Sequence, residues 1–266
     1  DNSRLIYIGR EVFKGTKIKK LVIPNEVQVL KNGWNFGLNT LEEITFKDPN
    51  VKLLFQSKDK QFIIEKLNSS GDKYNKLSFG CNSIKSIKIP ASIQQIKEYA
   101  FCDCEKLQSV TFEENSTLQI INKSSFRNTA ITSIKIPSKV TVLGEKVFKD
   151  CKSLKSIKFG KNSKLFEIGV GCFAGTQLEK ISIPSSVKSI KKGVFESCVK
   201  LTEVNFAENS SLQFIEDEAF TKTAIKTIEI PSSTLRIGNS AFSECKNLEV
   251  VVFRSKSKLE VISKMA

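Results

Sequence analysis

The sequence predicts one mainly β solenoid of about ten coils, and three observations carry this prediction. A phenylalanine recurs ten times along the chain, in most places 22 to 25 residues after the previous one. Between these anchors, apolar residues fall at relative positions 0, 3 and 5, and the last two alternate as in a β-strand. A fixed period of this kind is typical of a stacked repeat array. The segment Ile-x-Ile-Pro or a near copy ends at Pro24, Pro90, Pro137, Pro184 and Pro231, and the last three intervals are 47 residues each.

The anchor phenylalanines divide each 47-residue unit into two similar halves. From Phe79 onward their spacings alternate between 22 and 25 residues, so one unit is a pair of coils. No stretch of helical length carries an uninterrupted 3.6-residue apolar stripe, which favours short strands and turns on the back of each coil. The predicted anchors are Phe13, Phe36, Phe79, Phe101, Phe126, Phe148, Phe173, Phe195, Phe220 and Phe242.

The repeat consensus resembles a known family. Two copies are residues 201–206 (LTEVNF) and 225–231 (IKTIEIP), and each is followed by a weaker apolar pair and a small residue before the anchor. This pattern resembles the BspA-like leucine-rich repeats of bacterial surface proteins and parasitic protists. The Asn-rich and Lys-rich halves are closest in style to the trichomonad versions. The resemblance implies a right-handed solenoid with a parallel sheet on its concave face, used for adhesion or protein recognition without catalysis.

We expect residues 1–266 to form a single leucine-rich-repeat solenoid that is a fragment of a longer chain. The interval from Phe36 to Phe79 is 43 residues where 25 are expected, which indicates an insertion of 18 residues within 48–75. The insertion is either a coil that packs its own apolar residues or a functional loop. Its larger apolar residues are Phe55, Phe62, Ile63, Ile64 and Tyr74.

The last coil lacks the polar cap that repeat arrays normally need, because Val250 and Val252 are apolar where other coils are polar. We therefore expect further coils, a stalk or a membrane anchor to follow, or self-association through exposed solenoid ends.

The composition argues against an enzyme. Histidine is absent, which removes the commonest general base and the commonest zinc ligand. No phosphate loop, nucleophile elbow or paired carboxylates fall outside the repeat register. The pair Cys102-x-Cys104 lacks the spacing and the second pair of a zinc signature. We therefore predict no catalytic residue, no metal site and no cofactor.

Four of the seven cysteines are predicted to be ladder residues, whose side chains bond the backbone inside each turn. Cysteines 47 residues apart sit in every second coil, about 10 Å from one another, whereas a disulfide needs Cα atoms closer than about 7 Å. Cys172 takes a small packing position before its anchor. Cys81 and Cys102 lie in adjacent coils and either form a bridge or stay as free thiols. The ladder cysteines are Cys104, Cys151, Cys198 and Cys245, and other coils carry Thr16, Asn39, Thr129, Thr176 or Thr223 at this offset.

The outward strand positions predict a binding surface on the concave sheet. Its centre places serine beside lysine, a flat polar surface with a positive ridge. Residues 135–192 hold 13 Lys and 4 acidic residues, a net of +9, within a chain whose formal charge is +14. Segment 201–230, with 2 Lys and 6 acidic residues, has a net of −4. The predicted binding residues are Lys88, Lys135, Lys158, Lys180, Ser109, Ser133, Ser156 and Asn205.

The predicted function is a non-enzymatic interaction module, a cell-surface or secreted adhesin or host-interaction protein. Its expected ligand is a protein or an acidic glycan of a cell surface. Nucleic acid is not expected, because arginine is scarce and no aromatic residues interleave with the lysines. The alternative is an intracellular leucine-rich-repeat scaffold in the cytoplasm that binds a partner protein through the same sheet. Glycosylation motifs at Asn68, Asn115, Asn122 and Asn209 support secretion only weakly.

Overall fold

The structure, a computed structural model, describes residues 4–38, 40–47, 54–56, 62–66, 74–80 and 82–266. In these ranges every regular element is a β-strand. The chain winds into a β-solenoid of about ten turns, as the sequence predicts. Ten four-residue strands form one side, the long-strand face: β2 (Lys20–Ile23), β4 (Glu43–Phe46), β8 (Ser86–Ile89), β10 (Ser109–Phe112), β12 (Ser133–Ile136), β14 (Ser156–Phe159), β16 (Lys180–Ile183), β18 (Glu203–Phe206), β20 (Thr227–Ile230) and β22 (Val250–Phe253).

A second side consists of two-residue strands. The eight from β9 to β23 line up in parallel in one sheet, which three further strands extend to eleven. The first two short strands pair only with each other. The strands are β1 (Tyr7–Ile8), β3 (Val29–Leu30), β9 (Gln95–Ile96), β11 (Ile120–Ile121), β13 (Val142–Leu143), β15 (Glu167–Ile168), β17 (Ser189–Ile190), β19 (Phe214–Ile215), β21 (Arg236–Ile237) and β23 (Val261–Ile262).

Turns that contain the anchor phenylalanines form the third side. In each regular turn, the residues two before and two after the anchor have positive φ, a conformation that glycine adopts without strain. The coil of Phe173 uses Gly171 (φ 59°) and Gly175 (φ 71°) at these positions. From Phe101 to Phe242 the rings form one column, in which neighbouring centroids lie 5.2 to 5.7 Å apart and neighbouring planes differ by at most 12°. The column therefore carries the core from coil to coil.

The predicted cysteine ladder is confirmed. The buried Cys151 thiol donates to the Phe126 carbonyl at 3.0 Å and lies 3.3 Å from the Thr129 hydroxyl, which donates to the same carbonyl. The Cys198 thiol likewise donates to the Phe173 carbonyl and contacts the Thr176 hydroxyl, and the Cys245 thiol donates to the Phe220 carbonyl and contacts the Thr223 hydroxyl. Cysteine and threonine thus alternate in one buried position from Cys104 to Cys245.

The six cysteines in the described part of the chain are free thiols. Cys172 is fully buried, as its predicted packing role requires. Cys102 is half-buried, and its thiol donates to Asp103 Oδ2 at 3.4 Å. Cys81 lies outside the described residues, as does Asn39.

The prediction of Phe36 as an anchor is wrong by one residue. In a regular turn, the amide three residues after the anchor donates to the anchor carbonyl, as from Cys104 to Phe101. In the second coil, the Leu38 amide donates to the Asn35 carbonyl instead. Asn35 therefore occupies the anchor position, and Leu38 rather than Asn39 follows at the ladder offset. The Phe36 ring is displaced outward and meets Tyr99 edge-on at 4.8 Å.

The prediction of Phe79 as an anchor is also wrong by one residue. Each regular anchor amide donates to the carbonyl just before the next anchor, and here the Gly80 amide makes that bond to Ala100. A Cβ atom on Gly80 would lie 2.2 Å from a ring carbon of Phe101, so only glycine fits against this end of the ring column. Phe79 turns away and packs on Trp34, with ring centroids 5.1 Å apart.

Three antiparallel strands occupy the predicted insertion and its C-terminal border. They are β5 (Leu54–Gln56), β6 (Phe62–Lys66) and β7 (Tyr74–Gly80), and β7 then pairs in parallel with β9. Ile63 joins an N-terminal hydrophobic cluster, whereas its neighbour Ile64 joins the main core. The half-buried Phe62 packs against the main core. The side chains of Phe55 and Tyr74 lie outside the described part. The strand β6 therefore contributes side chains to two separate cores.

A buried ion pair crosses this junction. Lys97 Nζ lies 2.9 Å from Glu65 Oε2 and also donates to the Leu30 carbonyl at 2.8 Å. The Lys97 and Glu65 side chains are only 11% and 12% exposed. This contact ties the N-terminal coils, the insertion and the regular array together.

On the long-strand face, the strands pair within each 47-residue unit and part between units. The pairs β8/β10, β12/β14 and β16/β18 keep full parallel register. Between units, β14 and β16 share one residue pair, and β10 and β12 belong to separate sheets. The breaks follow the strands that end in phenylalanine, which lead into the longer loop of the 25-residue coil. Every second junction of this face is therefore open.

Candidate binding surface

The outward positions of the long strands carry the predicted binding residues because the strands alternate. In β12, Ile134 and Ile136 are buried, whereas Ser133 and Lys135 between them are exposed. The same alternation holds in β8, β16 and β20. The polar columns predicted from sequence thus lie on one surface of the solenoid.

Two grooves open where the strands part. The first has a volume of about 760 Å³ and runs between β10 and β12. The second, of about 640 Å³, runs between β14 and β16. Polar residues of the first groove include Ser109, Thr111, Glu113, Glu114, Ser133, Lys135, Lys139 and Lys161. Those of the second include Ser156, Lys158, Asn162, Ser163, Lys180 and Ser182.

The structure distributes the eight predicted site residues over these grooves and their neighbouring strands. Lys88 lies on β8, opposite Thr111, and Asn205 lies on β18, opposite Ser182. The first groove contains Ser109, Ser133 and Lys135, and the second contains Ser156, Lys158 and Lys180.

Lys180 does not contribute a free positive charge. Its ammonium lies 2.5 Å from Glu203 Oε2 on the neighbouring strand. This hydrogen bond raises the pKa of Lys180 and lowers the pKa of Glu203. Asn205 is engaged in the same cluster, because its amide donates to Glu203 Oε1 at 2.7 Å. The positive surface therefore ends before β16.

Lys135 and Lys158 differ from Lys180 in having each other as neighbours. They stand directly opposite on β12 and β14, whose backbones are about 4.8 Å apart. Lys139 and Lys161 follow on the turns after these strands and line the first groove. We call these four residues the lysine stripe. All four are exposed, and none forms an ion pair within the residues that the structure describes.

Sequence reasoning missed Lys139 and Lys161 because it considered only the strand positions. Both belong to the segment of net charge +9, which was the available signal. The described residues include no group of three or more His, Cys, Asp or Glu side chains that could hold a metal ion. They also include no helix long and apolar enough to cross a membrane.

The repeat signature identifies the class of protein. The family model of the BspA type leucine rich repeat region matches in six copies, over residues 2–68, 73–201 and 166–266. The chain therefore belongs to the BspA-type leucine-rich repeat family. Membership of this generally non-enzymatic repeat family indicates a protein-interaction module. A search of curated proteins found no match.

Solved structures of bacterial proteins share the fold. A leucine-rich repeat protein from Eubacterium ventriosum is 24% identical, with a TM-score of 0.78 over 90% of this chain and 62% of its own. This chain thus spans less than two thirds of that protein. A leucine-rich repeat protein from Bacteroides ovatus is 22% identical, with a TM-score of 0.54 over 79% of this chain and 74% of its own. The T. pallidum leucine-rich repeat protein is also 22% identical, with a TM-score of 0.52 over 76% and 90%.

Proposed function

We propose that the protein is a non-enzymatic adhesin or host-interaction protein of the cell surface, which binds an anionic partner through its long-strand face. The lysine stripe is the observation that supports this most. Its ammonium groups are unpaired within the described residues, whereas Lys180 and Lys20 on the same face have carboxylate partners. Like charges directly opposite each other in a sheet are destabilising. An external anion would offset that repulsion.

The rest of the surface suits broad, weak contact. Each exposed lysine contributes only about 0.2–1 kcal/mol to a charge pair, so affinity requires several contacts. The serines beside the stripe add hydrogen-bond donors and acceptors over neighbouring strands. Many copies on one cell would add avidity without any new contact. An adhesin can work with individually weak sites of this kind.

The surface location rests on the resemblance to surface proteins and needs its own test. An antibody against the folded protein, applied to intact cells, should label them without permeabilisation. Labelling only after permeabilisation would favour the intracellular scaffold.

We also propose that the chain is closer to the protist members of the family. This proposal rests on its Asn-rich and Lys-rich loops.

Binding of the purified protein to host-cell monolayers tests the role of the stripe. The double variant Lys135→Glu/Lys158→Glu should bind about tenfold more weakly, since two favourable contacts become repulsive. The matched control Lys188→Glu/Lys200→Glu makes the same change of charge at exposed lysines outside both grooves. Binding by the wild type should also fall as salt rises. If the stripe variant binds as tightly as the wild type and salt has no effect, the long-strand face is a solvent-exposed sheet that does not bind the partner.

A further inference from the structure

We infer that the anionic partner is an acidic polysaccharide, a glycan chain with sulfate or carboxylate groups, which crosses the solenoid along β12 and β14. This inference rests on the proposed function and names the ligand of the same surface. It follows from three features of the grooves: their chemistry, the choice of lysine as the cation, and the charges on either side of the stripe.

The groove chemistry fits a sugar chain better than a protein. Protein interfaces draw most of their energy from Trp, Tyr or Arg anchors seated in pockets, and neither groove contains one of these residues. Each groove instead combines hydroxyl groups with one half-buried phenylalanine at a strand end, Phe112 in the first and Phe159 in the second. Hydroxyls can exchange hydrogen bonds with sugar hydroxyls, and a phenyl edge can contact the apolar face of a sugar ring.

Lysine suits such a ligand because its side chain adapts to different positions of the anionic groups. Its ammonium is a compact, strongly hydrated charge on a flexible stem, whereas arginine presents a rigid fork that suits a fixed phosphate or carboxylate. A polysaccharide carries its anionic groups on a repeating but variable chain. Four lysines on two strands and their turns can follow such a chain without one fixed geometry.

The neighbouring charges set the direction of the chain. On the β10 side, the first groove is bordered by Glu113 and the exposed Glu114. Glu113 is held there by the Ala91 amide, which donates to its carboxylate at 2.9 Å. On the β16 side, Glu203 compensates Lys180. A polyanion that ran along the solenoid axis would leave the positive surface at both sides, so it should lie along the strands.

The length of the stripe limits the length of the bound segment. Lys135 and Lys139 are four residues apart, which is at most about 13 Å of extended chain. Affinity should therefore rise with oligosaccharide length up to this span and then level off. A ligand that followed the solenoid axis would instead keep gaining contacts as it grew longer.

Direct binding to defined polyanions tests the inference. The probes are heparin oligosaccharides of increasing length, hyaluronan and poly-L-glutamate, measured by isothermal titration calorimetry at low and physiological salt. The variant Lys139→Gln/Lys161→Gln changes only exposed turn residues and should weaken heparin binding about tenfold. The control Lys188→Gln/Lys200→Gln removes the same charge and should weaken it less than twofold.

Other outcomes would overturn the inference in distinguishable ways. Equal losses in both variants would mean that heparin responds only to the net charge of the protein. Affinity that rises without limit with oligosaccharide length would contradict the direction along the strands. Binding of poly-L-glutamate but of neither glycan would overturn the ligand class and leave the proposed adhesin function intact. Stripe-dependent heparin binding without stripe-dependent cell binding would instead support the ligand and contradict the proposed function.

Discussion

From Phe101 onward the anchor rings stack face to face, whereas the anchor positions of the two coils before it hold Asn35 and Gly80. The regular array has one continuous hydrophobic core, while the N-terminal coils have a separate cluster around Trp34 and Phe79. Besides the contact between Phe36 and Tyr99, specific polar contacts cross the junction. Asn35 donates to the Tyr99 carbonyl at 2.8 Å, and a buried ion pair crosses the insertion.

The difference shows what a repeat register does for stability. In the array, each anchor from Phe126 to Phe220 packs between two identical rings, so it is buried without any special partner. At the junction the register shifts by one residue in opposite directions, and the ring column ends on glycine. Specific hydrogen bonds then replace interchangeable apolar packing. The junction should therefore respond to changes of single polar atoms, and the array to changes of volume.

Removal of an array ring is the largest expected effect. Phe148 is fully buried, and its two neighbouring rings lie 5.6 and 5.7 Å away. The substitution Phe148→Ala should lower the free energy of unfolding by about 3–5 kcal/mol through lost burial and a residual cavity. The matched change Phe36→Ala, at a half-buried ring outside the anchor position, should cost only about 1 kcal/mol. Urea unfolding compares them, and equal losses would contradict the assignment of Asn35 as the anchor.

Breaking the junction ion pair is expected to act locally. The substitution Glu65→Gln leaves the Lys97 ammonium buried without its counter-charge and should cost about 3 kcal/mol. Hydrogen exchange should accelerate in β1 to β4 and stay slow in β13 to β17. The control is Glu244→Gln, which removes an exposed ion pair with Lys222 and should cost under about 1 kcal/mol. Equal acceleration in both regions would show that the junction is no separate unit.

Alkaline pH should destabilise the array more than the N-terminal coils. Burial raises the pKa of the Cys151 and Cys198 thiols from 9.0 to about 11. The unfolded chain then loses these protons first, so their stabilisation is complete below pH 9 and is lost as the pH rises to 11. Within this window, deprotonation of each thiol in the unfolded chain should lower the free energy of unfolding by about 1.4 kcal/mol per pH unit.

The N-terminal coils, which have Thr16 and Leu38 at the ladder offset, lack this dependence. The variant Cys151→Thr/Cys198→Thr places the residue of the alternate coils in the same position and is the control. Urea unfolding between pH 8 and 11 should show a shallower loss for this variant. Identical slopes in the wild type and the variant would rule out these thiols as the cause.

Charge reversal on the long-strand face is the smallest expected effect. The substitution Lys135→Glu would replace repulsion with an ion pair to Lys158 and should stabilise the protein by about 0.2–1 kcal/mol. In the N-terminal coils, Lys20 already pairs with Glu43 at 3.2 Å, so Lys20→Glu should destabilise by a similar amount. Thermal unfolding at low salt should show a higher melting temperature for Lys135→Glu and a lower one for Lys20→Glu. A loss of stability in both variants would contradict the view that repulsion between its lysines destabilises the stripe.

Sequence periodicity was sufficient for the coil number, the strand positions and the cysteine ladder, because each depends on a residue type that recurs at a fixed offset. It failed at Asn35 and Gly80 because a phenylalanine stands next to each anchor position and satisfies the spacing to within one residue. Only backbone hydrogen bonds distinguish the two registers.

The candidate surface was predictable in part for the same reason. The outward columns follow from strand alternation, and the compensation of Lys180 could have been deduced from Glu203 at the same offset in the next coil. The grooves could not be deduced, because they depend on which neighbouring strands part. The alternation of 22-residue and 25-residue coils marks these places but does not state that the strands separate there.

The alternation of closed and open junctions has a consequence for how such chains change in length. A gain or loss of 47 residues keeps the alternation of strands that end in Ile-Pro and strands that end in Phe. Each strand therefore still has its partner within a unit. A change of 22 or 25 residues would set two strands of the same kind side by side and leave a mismatched edge. Viable length variants should therefore differ by pairs of coils, and each added pair brings one more groove. Evolution can then adjust the reach of the surface in whole sites, while the side chains of each existing site stay where they are.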